Sequence, residues 1–594
     1  MSSQEQLLAA VALHRRGELD KAEAAYRAIV AASPGHFDAT HLLRAVLAAG
    51  GRQAEAETWL LRAVALNPKV AAAHNNLGNV VKALRGPRES LAHYDRALAL
   101  DPGYADGFVN RGNVLSELGR PADALADYDR ALALAPTHVS ALRRSAAVLV
   151  ELGRGQDALM RNERALALDA DSADMWMRNG NILLHLKRPR EALESYDRAL
   201  ALDPGHALCA VNRSAALDAL GRPEDALEGL DRALALNPND AGALNNKATI
   251  LKSLGRIDEA LAIYERALAL APDDANAQSN FAMTALLAGD FARGWPALEY
   301  RWAKTENAGK RPALPFAEWR GEPLNGRTIV VYAEQGMGDI VQFGRYLPLL
   351  AALGATVSFL VAERMHRLLR AAFPSLALHG DVARVRSLSC DFQCAMMSLP
   401  LHLGTRVDDI PAAVPYLEAD PGRVRRWRAR IGADGFKIGI AWQGTPGVSV
   451  DAGRSIALEH FLPLAALPGV RLISLQKNEG SEQLRPGDPV EVPGPDFDAG
   501  PDAFLDTMAA MQSLDLIVTS DTAIAHVAGA LARPVWVALK RVPDWRWMLG
   551  REDCPWYPTM RLFRQTTAGD WTGVFARIGE ELSMASKRSS TILA

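Results

Sequence analysis

Residues 94–102 read YDRALALDP, and the same nine letters return at 196–204, with the variant YERALALAP at 264–272. The prolines that close these segments belong to a series with an interval of 34 residues, apart from one interval of 68 in which Ala170 takes the expected place. The series consists of Pro34, Pro68, Pro102, Pro136, Pro204, Pro238 and Pro272. Tyrosines and glycines recur at fixed offsets as well: Tyr94, Tyr128, Tyr196 and Tyr264, and Gly78, Gly112 and Gly180. Self-similarity of this period predicts a stack of equivalent structural units.

A 34-residue period with small residues at fixed places and a closing proline is the signature of the tetratricopeptide repeat. The pattern covers residues 1 to about 272 as eight repeats, and a further half-repeat follows at 273–295. Each repeat is a pair of antiparallel helices that cannot bury its apolar face alone, so neighbouring pairs stack into an α-solenoid. We predict a repeat domain over 1–302 and a junction over 303–326, which is marked by three prolines.

One offset in the repeat carries polar residues where packing alone does not require them. It lies in the first helix of each pair, which lines the inner groove of tetratricopeptide proteins. Arginines replace the amide in the middle of the array, and the remaining positions are Asn76, Asn110, Asn212, Asn246 and Asn280. Two interpretations stay open: a hydrogen-bond ladder that supports the stack, and an array of amides that binds the backbone of an acceptor protein. Either interpretation makes the groove a protein-binding surface.

From residue 327 onward, short β-rich runs alternate with helical patterns, which favours parallel sheets covered by helices. We predict two Rossmann-like halves, 327–429 and 430–594. The predicted strands are 328–332, 356–361 and 391–397 in the first half, and 437–442, 471–476, 515–519 and 534–539 in the second. Ligands of such sheets bind at the carboxyl ends of the strands. Two facing halves therefore predict a cleft between them.

Several chemical groups follow predicted strands. The turn AEQGMGD, residues 333–339, places two glycines and Asp339 between a strand and a helix, although an acid there can also serve as a simple helix cap. In the second half, Thr522 and Ala523 open a helix whose N-terminus is a ready site for phosphate, and His526 lies one turn further on. The other candidates at strand ends are Ser398, His402, Trp442, Gln443, Gly444, Gln476, Lys477 and Asp521.

These motifs give the second half a resemblance to GT-B glycosyltransferases of the heptosyltransferase type. The GMGD turn is similar to the Gly-Asp turn of that family, and SDTAIAHVAGAL, residues 520–531, is similar to its Asp-Thr/Ser-x-x-x-His segment. Repeats joined to such a domain resemble bacterial protein glycosyltransferases, including those that modify flagellins, and more distantly the eukaryotic O-GlcNAc transferase. The resemblance implies an enzyme that uses a nucleotide-activated sugar as donor.

The resemblance also implies roles for individual residues. Asp339 would be the catalytic base, Asp521 would contact the donor sugar, and Thr522 would hold the donor phosphate. Gly338 would belong to the donor side of the cleft with the second-half candidates, whereas Ser398 and His402 would face the acceptor. Basic residues near the diphosphate would be Lys477 and Arg454. The segments DWRW and CPWYP have no clear counterpart in the family, and we interpret them as cleft walls or core aromatics.

Bulk properties restrict the class of protein further. The net charge of −3 gives no electrostatic case for binding nucleic acid, and the four cysteines are too scattered for a disulfide scaffold. We expect no membrane span, a cytoplasmic location and no metal, because no Asp-x-Asp stands at a strand end of the second half to chelate a diphosphate-bound cation.

Three functions follow as hypotheses. The first is a protein O-glycosyltransferase that modifies Ser or Thr of an acceptor held in the groove; the resemblance implies flagellin as acceptor and a nonulosonic acid such as pseudaminic acid as the sugar. The second is a lipopolysaccharide or small-molecule glycosyltransferase that uses its repeats for localisation. The third is a repeat scaffold with a degenerate enzyme half. The sequence names neither the sugar, nor the nucleotide, nor the modified residue.

Overall fold

The computed structural model of the protein describes residues 2–304, 307, 309–445 and 453–592, with side chains given up to residue 584. By internal contacts the chain divides into two compact units, Met1–Pro238 and Asn239–Ala594. Each unit has a core of its own, and each is described separately.

The described part of the first unit consists of seven antiparallel helix pairs. Consecutive helices pack against each other, and the first helices of successive pairs are also in contact. The helices are α1 (Ser3–Arg15), α2 (Leu19–Ala32), α3 (Phe37–Ala49), α4 (Gln53–Leu66), α5 (Ala71–Arg85), α6 (Pro87–Leu100), α7 (Ala105–Glu117), α8 (Pro121–Leu134), α9 (Val139–Glu151), α10 (Gly155–Leu168), α11 (Ala173–His185), α12 (Pro189–Leu202), α13 (Ala207–Ala219) and α14 (Pro223–Leu236).

The recurring tyrosines and glycines form one joint that is repeated along the unit. In each joint the tyrosine of the second helix lies flat against a glycine of the first helix. A Cβ atom on Gly180 would lie 2.5 Å from Cε1 of Tyr196, so only glycine leaves room for the ring. The buried Tyr196 hydroxyl then donates a hydrogen bond of 2.7 Å to Oδ1 of Asn181. Gly78 with Tyr94 and Gly112 with Tyr128 repeat this arrangement.

The second unit begins with two more helix pairs. Its first helices are α15 (Ala241–Ser253), α16 (Ile257–Leu270), α17 (Ala275–Leu287) and α18 (Phe291–Leu298). The half-repeat that the sequence indicates at 273–295 is therefore part of a complete helix pair, α17 and α18. The second helix of that pair has only eight residues, and Pro296 lies inside it.

The last helix pair is buried against the α/β part of its own unit. Nε1 of Trp295 donates a hydrogen bond of 3.1 Å to the carbonyl oxygen of Thr405. The rings of Trp295 and Trp545 are 5.3 Å apart and edge to face, and Phe291 is 6.3 Å from Trp556. These contacts join the last helix pair to the α/β part of the unit. The compact unit begins at Asn239, ahead of the repeat boundary at 302 that the sequence indicates.

The first α/β half is a parallel sheet in the order β1-β5-β2-β3-β4. Its buried strands, such as Ile329–Tyr332, are continuous apolar runs, as expected for a sheet covered on both faces. The strands are β1 (Ala317–Glu318), β2 (Thr328–Tyr332), β3 (Thr356–Leu360), β4 (Ala377–His379) and β5 (Phe392–Ala395). The helices are α19 (Met337–Gly344), α20 (Leu347–Ala352), α21 (His366–Ala372), α22 (Val382–Arg386) and α23 (Leu399–His402).

The second α/β half is a parallel sheet in the order β11-β10-β9-β6-β7-β8. One face is packed on the aromatic core around Phe461 and Phe575. The strands are β6 (Phe436–Ala441), β7 (Val470–Ser474), β8 (Val490–Glu491), β9 (Leu516–Thr519), β10 (Val535–Leu539) and β11 (Met560–Arg564). The helices are α24 (Pro421–Ile431), α25 (Leu505–Met511), α26 (Ala523–Ala530) and α27 (Trp571–Ile592).

The second sheet has the Rossmann strand order, and β5-β2-β3-β4 of the first sheet follows the same pattern, with β1 added at its edge. In each sheet the order along the chain changes direction between two neighbouring strands. The reversal lies between β2 and β5 in the first sheet and between β6 and β9 in the second. Ligands of doubly wound sheets bind in the crevice that opens at such a switch point. The predicted fold class, an α-solenoid followed by two Rossmann-like halves, is confirmed, and the seven predicted strands are all present within two residues of their predicted ends.

Candidate functional site

A cleft of about 710 Å³ opens at the switch points of both sheets. It is lined by the GMGD turn from the first sheet and by loops after β6, β7, β9 and β10 from the second. Eleven of the predicted residues line it: Gly338, Asp339, Gln443, Gly444, Arg454, Gln476, Lys477, Asp521, Thr522, Ala523 and His526. Sequence positions that span nearly two hundred residues thus converge on one space.

Asp339 lies in the first turn of α19, seven residues after Tyr332, the last residue of β2. Its Oδ2 accepts a hydrogen bond of 3.1 Å from the backbone N–H of Gly336, so the side chain does cap the helix. Its Oδ1 accepts a hydrogen bond from Nη2 of Arg546, which also forms an ion pair with it. Each carboxylate oxygen has two lone pairs, so both oxygens keep one for a further donor. Capping and a role in proton transfer are therefore compatible.

The N-terminus of α26 faces the same cleft. Thr522 is the N-cap residue, but its side chain makes no capping hydrogen bond and instead lies 3.2 Å from the hydroxyl of Thr519. The first N–H groups of a helix have no intrahelical partner, and here the residues that carry them, Ala523 and Ile524, line the cleft. Unused donors and the positive end of the helix dipole make this a site for an anion.

Two carboxylates behind the helix terminus have very different protonation. Burial, reinforced by the neighbouring charge of Asp544, raises the pKa of Asp521 to about 6. Burial would also raise the pKa of Asp544, but the charge and hydrogen bonds of Arg546 outweigh it and lower that pKa. Asp544 is therefore the permanent anion of the pair, whereas Asp521 gains a proton in mildly acidic solution.

His526 is a neutral imidazole at the working pH of a cell. Burial, together with the charge of Arg546, lowers the pKa of its ring to about 3. Its Nδ1 lies 3.2 Å from the Tyr557 hydroxyl, and its ring stacks on Trp547 at 5.2 Å. These contacts of the buried His526 ring hold the first turn of α26 in place.

Arg454 and Lys477 supply positive charge to the cleft wall. Nε of Arg454 is buried and has no hydrogen-bond partner among the described residues, which leaves a donor for a ligand. Lys477 is exposed, and its ammonium group donates a hydrogen bond of 3.1 Å to the carbonyl oxygen of Phe497. Ser520, just before Asp521, also has a buried hydroxyl without a partner in the described part of the chain.

Two predicted donor-binding residues hold the wall of the cleft instead of facing a ligand. Trp442 is fully buried, and its Nε1 donates a hydrogen bond of 3.0 Å to the carbonyl oxygen of Gly480. The side-chain oxygen of Gln476 accepts hydrogen bonds from the N–H groups of Trp442 and Gln443, and its nitrogen donates to the carbonyl oxygens of Gln443 and Glu479. All hydrogen-bonding capacity of this amide is used, so Gln476 fastens the loop after β6 to the loop after β7.

Ser398 and His402 are not among the residues that line the described cleft, and their acceptor-side role stays a prediction. The Ser398 hydroxyl is buried in a network in which it accepts from Arg301 and donates to Glu299, each at about 2.7–2.8 Å. The His402 ring packs edge to face on Trp319 with centroids 5.6 Å apart. The strand end after β5 is thus filled by ion pairs that stabilise the fold.

The asparagines of the repeats make hydrogen bonds within each unit. Nδ2 of Asn110 donates 2.9 Å to Oδ1 of Asn75, and Nδ2 of Asn280 donates 3.1 Å to Oδ1 of Asn245, in both cases to the preceding helix pair. Asn76 lies 2.8 Å from the His41 ring, and Asn212 donates 3.0 Å to Asn181. Asn246 instead accepts a long hydrogen bond from its neighbour Asn245. The structural interpretation therefore accounts for one N–H of most of these amides, and the half-exposed side chains keep further capacity for an acceptor.

The sequence analysis missed Arg546 and Asp544 as site residues. Both lie in the segment DWRW, which follows β10 at the same edge of the sheet as the other cleft loops. An arginine and an acid beside two tryptophans can belong to any core, so composition alone does not reveal the role. The position after a predicted strand was the available signal.

Comparison with known proteins gives tetratricopeptide repeats in the N-terminal region. Two families described as tetratricopeptide repeat match the chain, one at residues 6–37 and 213–275 and the other at 105–138 and 173–206. A relative, Protein FlbA of Caulobacter vibrioides (strain ATCC 19089 / CIP 103742 / CB 15), is 29% identical over 325 residues, which are 50% of this chain and 54% of that protein. The match thus spans about half the length of the relative.

Solved structures resemble parts of the chain. YrrB, a tetratricopeptide protein with an unusual peptide-binding site, is 27% identical, covers 32% of this chain and 97% of its own, and has a TM-score of 0.29. The Cut9–Hcn1 assembly of the APC/C is 18% identical over 48% of this chain and 56% of its own, with a TM-score of 0.36.

Two features are absent from the residues that the structure describes. None of their helices combines the length and the apolarity needed to cross a membrane. They also contain no cluster of three or more His, Cys, Asp or Glu side chains arranged around a possible metal position.

Proposed function

We propose that the chain is a protein O-glycosyltransferase that transfers a sugar from a nucleotide-sugar donor to a Ser or Thr hydroxyl of a protein bound by its repeats. The observation that carries the proposal is the pairing, in one cleft, of a carboxylate from the first switch point with a free helix N-terminus from the second. Asp339 supplies the carboxylate, and Thr522 opens the helix.

The donor half provides the groups that a leaving diphosphate requires. When the bond between the anomeric carbon and the phosphate oxygen breaks, negative charge grows on that oxygen. The N–H groups of Ala523 and Ile524 and the free Nε of Arg454 are donors already in place for this charge. Asp521, which is protonated more readily than an ordinary aspartate, can donate to or accept from a sugar hydroxyl nearby.

The acceptor hydroxyl must lose its proton as its oxygen attacks the anomeric carbon. Asp339 keeps a free lone pair on each oxygen and can take that proton when the hydroxyl lies within hydrogen-bond reach. The proton then resides on the carboxyl group, the sugar on the acceptor oxygen and the electron pair on the diphosphate. This balance needs no further reactant, and we expect transfer to continue in the presence of EDTA.

The resemblance of the whole arrangement to flagellin-modifying enzymes makes flagellin the proposed acceptor. The test compares intact flagellin by mass spectrometry from cells with the wild-type chain, without it, and with Asp339→Asn. We expect a defined mass increase in the first case alone, because general-base catalysis contributes about 10²–10⁴-fold. Asp409→Asn, in a loop away from the cleft, is the matched control.

A nucleotide panel tests the donor half independently. Calorimetry with UDP, GDP, ADP and CMP on the purified full chain should give binding of one nucleotide, which Asp339→Asn preserves. Wild-type cells whose flagellin and other proteins carry no added mass, together with a chain that binds no nucleotide, would favour a repeat scaffold. Nucleotide binding without protein modification would favour a lipopolysaccharide or small-molecule acceptor.

A further inference from the structure

Arg546 has three different acceptors for its guanidinium group. Nη2 donates to Oδ1 of Asp339, Nε donates to Oε1 of Gln342 at 2.9 Å, and Nη1 donates to Oδ1 of Asp544 at 2.8 Å. The guanidinium also lies over the Trp545 ring, 4.5 Å from its centroid. Arg546 is 8% exposed, so its geometry is set by these contacts and not by solvent. A planar fork with several donors holds a carboxylate in one orientation better than a flexible ammonium group does.

The segment that carries Arg546 is held from the opposite side by the last repeats. Trp545 packs edge to face on Trp295 of α18, and helix α17 also contacts this segment. A Cβ on Gly255, in the turn between α15 and α16, would lie 3.8 Å from Val542, so this turn is also adjacent. The side chain that binds Asp339 therefore extends from a segment whose outer face is covered by repeat helices of the same compact unit.

A second charge reaches this segment from the repeats. Lys252 of α15 interacts electrostatically with Asp544, the anion that binds Arg546. Burial lowers the pKa of the Lys252 ammonium group, and the charge of Asp544 opposes that effect. This interaction supports the link that the packing of Trp545 on Trp295 provides.

We propose that Arg546 is the positioning residue for Asp339, and that the last repeats fix Arg546 through the packing of Trp545 on Trp295. The inference rests on the proposed function, because it assigns to Asp339 the task of accepting a proton. It adds that the repeats do more than bind an acceptor: their final helices hold the base of the catalytic half in its working orientation.

The first experiment uses crystal structures of the full chain with Arg546→Met and Arg546→Lys. We expect Asp339 to leave its wild-type position in the Met variant and to move less in the Lys variant, which retains one charged donor. An unmoved carboxylate in the Met variant would overturn the inference. This readout does not depend on transfer. If Asp339 is displaced in the Met variant but the wild-type chain modifies no protein, only the proposed function is contradicted.

The second experiment measures modified flagellin in complemented cells beside nucleotide affinity of the purified chain. We expect transfer to fall at least tenfold in Arg546→Lys and further in Arg546→Met, while nucleotide affinity stays within about threefold of wild type. A merely structural role would weaken nucleotide binding and transfer together, and equal transfer in all three chains would also count against positioning. Arg551→Lys is the matched control, because Arg551 pairs with the exposed Asp553 nearby.

Trp295→Leu tests the connection to the repeats if the Arg546 variants do not fold, because it removes the ring that packs on Trp545. We expect transfer to fall several-fold with nucleotide affinity unchanged. Trp302→Leu is the control, because the Trp302 ring lies 6.2 Å from Tyr332 and away from the segment of Arg546. Equal transfer by the Trp295→Leu and Trp302→Leu chains would overturn the connection to the repeats.

Discussion

Gly338 of α19 and His526 of α26 are in direct contact across the cleft. A Cβ atom on Gly338 would lie 3.1 Å from Cδ2 of His526 and 3.3 Å from the backbone Cα of Ala523. The second glycine of the GMGD turn therefore sets how closely the turn that carries Asp339 approaches the N-terminus of α26, where we propose the donor phosphate to bind. Contact between two secondary-structure elements of different sheets makes the cleft narrow at the point where chemistry is proposed.

Gly338→Val should separate the two helices. The valine side chain has no room, since the Ala523 backbone cannot rotate away, and overpacking of this kind costs about 1–3 kcal/mol. We expect weaker nucleotide binding by calorimetry, and transfer to flagellin reduced more than binding. Gly344→Ala in the same helix is the control, because its new Cβ would lie 3.5 Å from the Phe373 ring, an ordinary contact. Equal binding by both variants would show that the separation of α19 and α26 does not matter to the donor.

Nucleotide binding should depend on pH through Asp521. Because burial raises the pKa of this carboxyl to about 6, it is neutral below pH 6 and becomes an anion beside the diphosphate above it. Between the ordinary pKa of an aspartate and pH 6, the folded chain holds this proton and the unfolded chain does not. The stabilisation that the bound proton provides is therefore lost as the pH rises through 6. Affinity for the bound nucleotide should therefore fall from pH 5 to pH 7.5 more steeply in wild type than in Asp521→Asn. Parallel curves for the two chains would exclude titration of Asp521.

Arg454→Met should lower nucleotide affinity about ten- to a hundredfold, since a hydrogen bond to a charged group contributes about 1.5–3 kcal/mol. Lys477→Met should change it by less than about fivefold, because Lys477 is exposed and exposed charges contribute about 0–1 kcal/mol. Calorimetry of both variants at one ionic strength measures the difference. A larger loss in the Lys477 variant would move the phosphate site away from Arg454.

Two glycine substitutions in the repeats should have opposite effects on stability. Gly180→Ala places a methyl group 2.5 Å from the Tyr196 ring and should destabilise the chain by about 1–3 kcal/mol. Gly229→Ala in α14 meets nothing within 4 Å and should stabilise it by about 0.5–1 kcal/mol through higher helix propensity. Urea unfolding followed by helical circular dichroism measures both. The same sign of change for both variants would contradict the repeated joint.

The sequence predicts the elements of this fold well where a physical period is strong. The repeat of 34 residues predicts the helix pairs, and three of them share the joint of a glycine with a tyrosine. Strand ends locate Asp339 and Thr522, because parallel strands of one sheet share a carboxyl edge. The strands that escaped prediction are β1, β4 and β8, of two or three residues at or near sheet edges, and β11, whose arginines interrupt the apolar run.

Side-chain direction was beyond the reach of sequence reasoning. Trp442 and Gln476 follow strands as Asp339 does, yet they point into the wall, where their polar atoms are used by backbone groups. Arg546 stands among tryptophans that suggest a core, yet its guanidinium reaches Asp339. Whether a residue near a strand end faces the ligand depends on contacts distant in sequence, here with α17, α18 and the loop after β7.

The division of the chain after Pro238 determines how this protein can be re-engineered. An exchange of recognition modules at residue 302, where the repeat pattern ends, would remove Trp295 and Lys252 together with the repeats and would leave Trp545 facing water. A chimera that joins a foreign repeat array at residue 238 keeps both residues with the α/β half. A repeat array for a different acceptor protein should therefore be joined ahead of the last two helix pairs, because these pairs belong to the same compact unit as the α/β halves.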